Sequence, residues 1–229
     1  MAVDDILGLA DSASIPVAAA NEIDAAYCLS FMRQVRDCSF ATVDADGLPS
    51  VRIIDIMHAE GGRIYFLAPR GKAFHAEIMR LPVVAIVAQT TDFRTCRFRG
   101  RVVRPEDSEQ HRLVDWMFEL NPSMCKLYPG DTRYVCDVFY IEDGSGDYFD
   151  LGQKPVVRAQ FSIGDGGTEM GGRFEITAWC NGCGICAQAC PQGCIEKSGA
   201  TYEIDQSACL HCGLCFETCP THAIEKVKV

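Results

Sequence analysis

Apolar residues recur at helical spacing through Ala26, Leu29, Phe31 and Val35, just after Asn21, Glu22 and Asp24. Asn21 is the expected N-cap, and the early acids favour the positive end of the helix dipole. Past Cys38 the period shortens to two. Residues 40–43 and 50–56 flank Asp44-Ala45-Asp46-Gly47, which predicts a hairpin. Gly61-Gly62 turns the chain into a strand over 63–67, a short buried strand follows over 83–87, and 93–103 alternates well enough for a long one. Helical spacing returns over 72–81 and 106–120, and a last pair of strands is expected over 135–141 and about 156–163. Six or more strands joined by hairpins, with few helices, favour an antiparallel, barrel-like sheet over a parallel one. No GxGxxG follows a strand, which argues against a Rossmann cofactor site.

The pattern breaks near residue 163. Gly164, Gly166, Gly167, Gly171 and Gly172 mark residues 164–176 as a flexible link between a first domain over 1–163 and a second over 177–229. Of 14 cysteines, Cys28, Cys38, Cys96, Cys125 and Cys136 are scattered singly before the break and read as core thiols, and the rest crowd between Cys180 and Cys219. There Cys180-x-x-Cys183-Gly184-x-Cys186-x-x-x-Cys190-Pro191 recurs 29 residues on as Cys209-x-x-Cys212-Gly213-x-Cys215-x-x-x-Cys219-Pro220.

Soft thiolates in fours suit a [4Fe–4S] cube, and the glycines let backbone N–H groups approach its sulfides. A pair of zinc knuckles is the alternative, although zinc sites seldom repeat this run in register. The second domain resembles the bacterial two-cluster ferredoxins over essentially its whole length. That resemblance implies two [4Fe–4S] clusters with crossed ligation: Cys180, Cys183, Cys186 and Cys219 on one, Cys209, Cys212, Cys215 and Cys190 on the other. Cys194 falls where the second copy has Ala223 and reads as a packing residue, with a ligand or redox role the alternative. His211 reads as an ordinary loop residue, with tuning of a cluster's potential by pH the alternative.

The formal charge of −10 and pI near 4.9 argue against nucleic-acid and anionic-membrane partners. No apolar run approaches the length of a membrane span, and the acidic start lacks the positive charge of a signal peptide, so a cytoplasmic location is expected. With so many cysteines in a reducing compartment, metal binding is favoured over disulfides.

In the first domain Ala68-Pro69-Arg70-Gly71-Lys72 leaves a strand and opens a helix. Free backbone N–H groups, Arg70, Lys72 and Arg52 on an earlier strand there make a candidate phosphate site, with plain surface solvation the alternative. Arg97, Arg99 and Arg101 share one strand face, suited to an anion or to pairing with the abundant acids.

The order Ser39-Phe40-Ala41-Thr42-Val43, Gly47-Leu48-Pro49-Ser50-Val51-Arg52, Arg63-Ile64-Tyr65-Phe66, Gly71-Lys72-Ala73-Phe74-His75 and Leu81-Pro82-Val83-Val84-Ala85 resembles the pyridoxamine 5′-phosphate oxidase-like family over about residues 25–160. The resemblance implies a six-stranded antiparallel split barrel, mainly β with α+β character overall, and a homodimer holding FMN at the subunit interface. By position it implies Arg52 and Lys72, assisted by Arg70, on the phosphate, Gly71 in the same turn, and backbone around Ile53, Ile54 and Ala68 lining the flavin. Arg97 is a further candidate contact. Thr95 stands where true pyridoxamine oxidases have glutamine, and their C-terminal Arg–His signature is not evident, so oxidation of vitamin B6 is disfavoured. Related barrels accept haem or a deazaflavin, which remain alternatives to FMN.

FMN exchanges two electrons and each cluster one, so the combination predicts an iron–sulfur flavoprotein oxidoreductase acting on a small molecule. The alternative is an electron carrier without a substrate of its own. NADH, NADPH, a ferredoxin or a reductase partner are all open as the other redox party.

Overall fold

The computed structural model describes residues 15–165 and 172–227. After a 3-10 turn at Ala20–Glu22, the first helix is α1 (Ala25–Val35). Asp24, not Asn21, caps it, accepting the Tyr27 N–H at 2.8 Å. Asn21 lies inside the preceding turn, so the helix begins later than its pattern predicts.

Eight strands form one antiparallel sheet: β1 (Asp37–Val43), β2 (Pro49–Asp55), β3 (His58–Glu60), β4 (Arg63–Pro69), β5 (Val83–Gln89), β6 (Arg94–Val103), β7 (Cys136–Asp150) and β8 (Val157–Ile163). The order is β2-β1-β5-β6-β7-β4-β3, with β8 also paired to β7. The fold is thus mostly strands, an antiparallel sheet curled into a split barrel, but with eight strands rather than six. Three-residue β3 is too short to show a period. β7 continues past Ile141, where sequence alone predicts its end, through a run rich in glycine and acid. The glycines belong there: a Cβ on Gly146 would land on the Arg97 carbonyl oxygen and the Phe161 ring, and one on Gly144 on the Arg99 carbonyl.

The inner face of the sheet carries Phe40, Phe66, Ile86, Phe98 and Phe139, and α1 closes over them with Cys28, Leu29, Phe31 and Met32. Full burial of each phenylalanine contributes about 1.5–3 kcal/mol. Helix α2 (Ala73–Arg80) adds Phe74 and Ile78 to this core. Helix α3 (Asp107–Leu120) covers the reverse of β4 and β7, packing Leu113, Val114, Met117 and Phe118 against Tyr65, Leu67 and Val138. Burial on both faces explains why β4 reads as a continuous apolar run.

The second domain comprises β9 (Arg173–Ile176), α4 (Ile185–Ala189), β10 (Ile195–Ser198), β11 (Thr201–Ile204), α5 (Leu214–Thr218) and β12 (Ile224–Val227). β9 pairs with β12 and β10 with β11. Of the expected link over 164–176, residues 166–171 lie outside the described residues. Residues 173–176 are a strand rather than a link, because Phe174 turns into the core of this domain. No helix among the described residues is long and apolar enough to cross a membrane.

Candidate functional site

The duplicated motif folds as a duplicated structure. Gly184 and Gly213, at φ 77° and 85°, open α4 and α5 from the left-handed region that favours glycine. A Cβ on Gly184 would also strike the Tyr202 hydroxyl. Between the two copies lies a small cavity lined by Cys190, Cys209, Cys212 and Cys215, with Cys194 at its wall. Cys190 and Cys194 of the first half therefore stand with three cysteines of the second.

Main-chain N–H groups point at the sulfurs: Gly182 at Cys180 (3.4 Å), His211 at Cys209 (3.3 Å) and Ala223 at Cys219 (3.3 Å). Burial works against ionising Cys190, but N–H groups of Cys194 and Gln192 outweigh it and hold the thiol below its ordinary range. Cys219 is lowered too, the Thr221 hydroxyl and Ala223 N–H overcoming its burial. Burial instead pushes Cys209 up, and Cys215 to about 11. Thiols held protonated in this way release protons when metal binds. A small cavity of soft donors ringed by amide N–H groups fits a [4Fe–4S] cluster. Cys194 is buried with its sulfur 3.5 Å from that of Cys190.

In the barrel the candidate residues divide into separate groups. Arg52 is paired with Glu77 of α2 at 2.8 Å, bonded to Thr42 and Ser50, and set 5.1 Å from the Phe74 ring centre. Lys72 caps the same helix by position, exposed and without an ion pair among the described residues. Gly71 beside it has open space where a Cβ would project. Together with the orphan N–H groups of the first α2 turn, Gly71 and Lys72 fit a phosphate, and Arg52 is held one turn further along. Arg70 turns instead to Asp137 (2.9 Å) and the Tyr134 carbonyl. Ile53 is exposed, Ile54 half-buried and Ala68 buried.

Arg97 is elsewhere. It points to the opposite face of the sheet from Arg52 and donates to Asp147 through Nε at 2.7 Å and through Nη2. Within one chain the structure does not bring it to Arg52 and Lys72. On that outer face the register runs Ile53–Ser39–Val87–Arg97–Asp147–Gln160 across six strands, with Val51–Ala41–Ala85–Arg99–Ser145–Ser162 beside it. The outer face thus has an apolar half on β2, β1 and β5, an arginine column on β6, and β7 and β8 beyond.

Two buried carboxylates organise this domain, and neither stood out in the sequence. Asp137 accepts from Arg104 (2.8 Å), His75 (2.8 Å) and Arg70. Burial pushes its carboxyl up, but those donors prevail and hold it below the usual range. Its signal was a lone acid between Cys136 and Val138 in an apolar strand. Asp147, wholly buried, bridges Arg97 and Arg158. Nothing in the local pattern around it marks it, because its partners come from other strands.

Residues 27–124 match the family model described as pyridoxamine 5′-phosphate oxidase. The first domain is a pyridoxamine 5′-phosphate oxidase-like split barrel. Residues 179–223 match the model described as a 4Fe–4S dicluster domain. Among solved structures, the chain is similar to a NimC/NimA family protein from Clostridium acetobutylicum, at 20% identity and TM-score 0.50, covering 59% of this chain and 89% of that one. It is also similar to a pyridoxamine 5′-phosphate oxidase-related, FMN-binding protein from Nostoc punctiforme, at 15% identity and TM-score 0.44, covering 66% and 94%. No curated protein matches the chain. A split barrel of this family joined to a dicluster domain fits an iron–sulfur flavoprotein with a redox role.

Proposed function

We propose that the chain is an iron–sulfur flavoprotein oxidoreductase in which two [4Fe–4S] clusters relay single electrons to or from FMN, and the flavin reacts with a small molecule. The observation that carries this reading is the cavity of Cys190, Cys209, Cys212 and Cys215, hydrogen-bonded through its surrounding loops to the same sheet that offers Gly71 and Lys72 to a phosphate. Cys180, Cys183, Cys186 and Cys219 hold the other cluster. Bound flavin supplies the exchange between two-electron and one-electron chemistry. The chain's own residues bind and orient: Lys72, the α2 amides and Arg52 hold the phosphate end, and Ile53, Ile54 and Ala68 supply backbone along the ring.

The flavin site is completed by a second copy of the chain. Val51 and Ile53 are 67% and 59% exposed, and Val83 and Val87 stand beside them on the same face. A contiguous apolar sheet face of this kind marks an association surface, and self-association would bury it. The test is Ile53→Glu. It should convert a dimer to a monomer on size exclusion with light scattering, and lower flavin content while leaving iron content unchanged. A variant that stays dimeric and fully flavinated contradicts the interface. Turnover of the unmodified protein with NADH, NADPH, reduced ferredoxin and small acceptors tests the reaction class. Flavin that reoxidises only with a protein partner would make the chain a carrier instead.

A further inference from the structure

Charged groups are buried where the barrel meets the cluster domain. Arg158 of β8 is only 7% exposed and Asp147 not at all. Asp147 pairs with Arg158 at 3.5 Å and more closely with Arg97, so the trio carries one net positive charge. The Arg158 guanidinium also meets Nδ1 of His211, which sits between Cys209 and Cys212. Arginine only donates, so Nδ1 accepts and the ring proton lies on Nε2.

His211 takes up the left-handed backbone that this loop position adopts in both copies. Its φ is 53°, whereas the corresponding residue of the first copy, Gly182, is a glycine at 72°. A non-glycine residue in the left-handed region costs on the order of 1–3 kcal/mol and persists where surrounding contacts fix it. Two further hydrogen bonds reach the same neighbourhood. The Arg158 N–H donates to the Ser207 carbonyl at 2.8 Å, and the Val156 N–H to the Gln192 side chain at 3.1 Å. Ser207 precedes Cys209 by two residues and Gln192 follows Cys190 by two, so both contacts flank ligands of one cysteine cavity. Arg158 Nε, Gln206 Oε1 and His211 Nε2 are buried without partners and belong to residues lining one cavity of about 190 Å³ at this junction. Such a cavity has room for on the order of six waters. Charge and hydrogen bonds therefore tie the two domains together at this junction.

We propose that the cluster of Cys190, Cys209, Cys212 and Cys215 is the barrel-side relay, and that Arg158 is its positioning residue. Arg158 clamps the Cys209–Cys212 loop to the sheet and holds a positive charge beside it. This rests on the two-cluster flavoprotein reading above. In it, two single-electron passages between an external one-electron carrier and the flavin run through the Cys180 set and then the Cys209 set, or the reverse. A positive charge stabilises the reduced, more negative cluster and raises its potential.

The test is an EPR-monitored redox titration of the full-length, anaerobically reconstituted protein. Cys183→Ser and Cys212→Ser each alter one signal and assign it. Arg158→Gln should lower the potential of the Cys209-set cluster and leave the other in place, and Arg158→Lys should recover most of the shift. His211→Gly, which suits the left-handed backbone, guards against a folding failure of the arginine variant. It should raise amide hydrogen exchange over residues 206–213 and leave the Cys180-set potential unchanged. No shift in either cluster, a shift confined to the Cys180 set, or unchanged exchange in His211→Gly overturns the assignment. Flavin content is read in the same samples. Its absence would sink the flavoprotein reading while leaving the clamp to stand or fall on the potentials.

Discussion

Arg52 is tied into the fold by contacts that need no cofactor. Its guanidinium is the ion-pair partner of Glu77, a buried carboxylate of α2 that faces β1 and β2. Arg52→Ala strands that carboxylate, and the loss of a hydrogen bond to a charged group costs about 2–3 kcal/mol. Chemical denaturation should report a loss of that size. Adding Glu77→Gln should restore much of the stability by removing the orphaned charge. If Arg52 also holds the flavin phosphate, the double variant regains stability but not flavin. Full recovery of flavin would make Arg52 purely structural. Arg52 was legible because it ends the run Gly47-Leu48-Pro49-Ser50-Val51-Arg52 on the second strand of a hairpin, a local feature. Glu77 was not, since its role depends on α2 folding back over β1 and β2. The same holds for Asp137 and Asp147: a buried acid is defined by partners far away in sequence.

Elements were legible where one face alone is buried. β6 alternates between buried and more exposed residues, so its period predicts it, whereas β5 reads as a continuous apolar run although one of its faces is exposed. The second half of β7 does not alternate. It is covered by β6, β8 and the charges of the domain junction, and reads in sequence as an acidic, glycine-rich loop. Gly146 explains that composition, since β6 and β8 approach too closely for a side chain. Gly146→Ala should therefore destabilise the barrel by about 1–3 kcal/mol, the usual cost of overpacking a tight site. A thermal melt of the barrel's circular dichroism signal checks this, and an unchanged midpoint would mean that β6 and β7 can separate without cost. Helix α1 illustrates the opposite error. Asn21 and Asp24 are both good caps, and only the 3-10 turn at Ala20–Glu22 decides between them.

For the whole molecule, the cysteine repeat was visible because ligand spacing is a local property. What spacing could not reveal is the side of the dicluster domain that meets the barrel. That depends on Arg158, His211, Ser207 and Gln192, which look ordinary one by one. The outer sheet face was likewise invisible until pairing aligned Ile53, Val87 and Arg97 in one row. On that face an apolar half stands beside an arginine column. In the proposed function one chain carries both kinds of redox centre. The most direct measurement is anaerobic purification followed by acid extraction of the flavin and chemical assay of iron and sulfide. A chain with both centres should yield one FMN with about eight iron and eight sulfide, as two [4Fe–4S] clusters require. Zinc in place of iron, or clusters without any flavin, would contradict it.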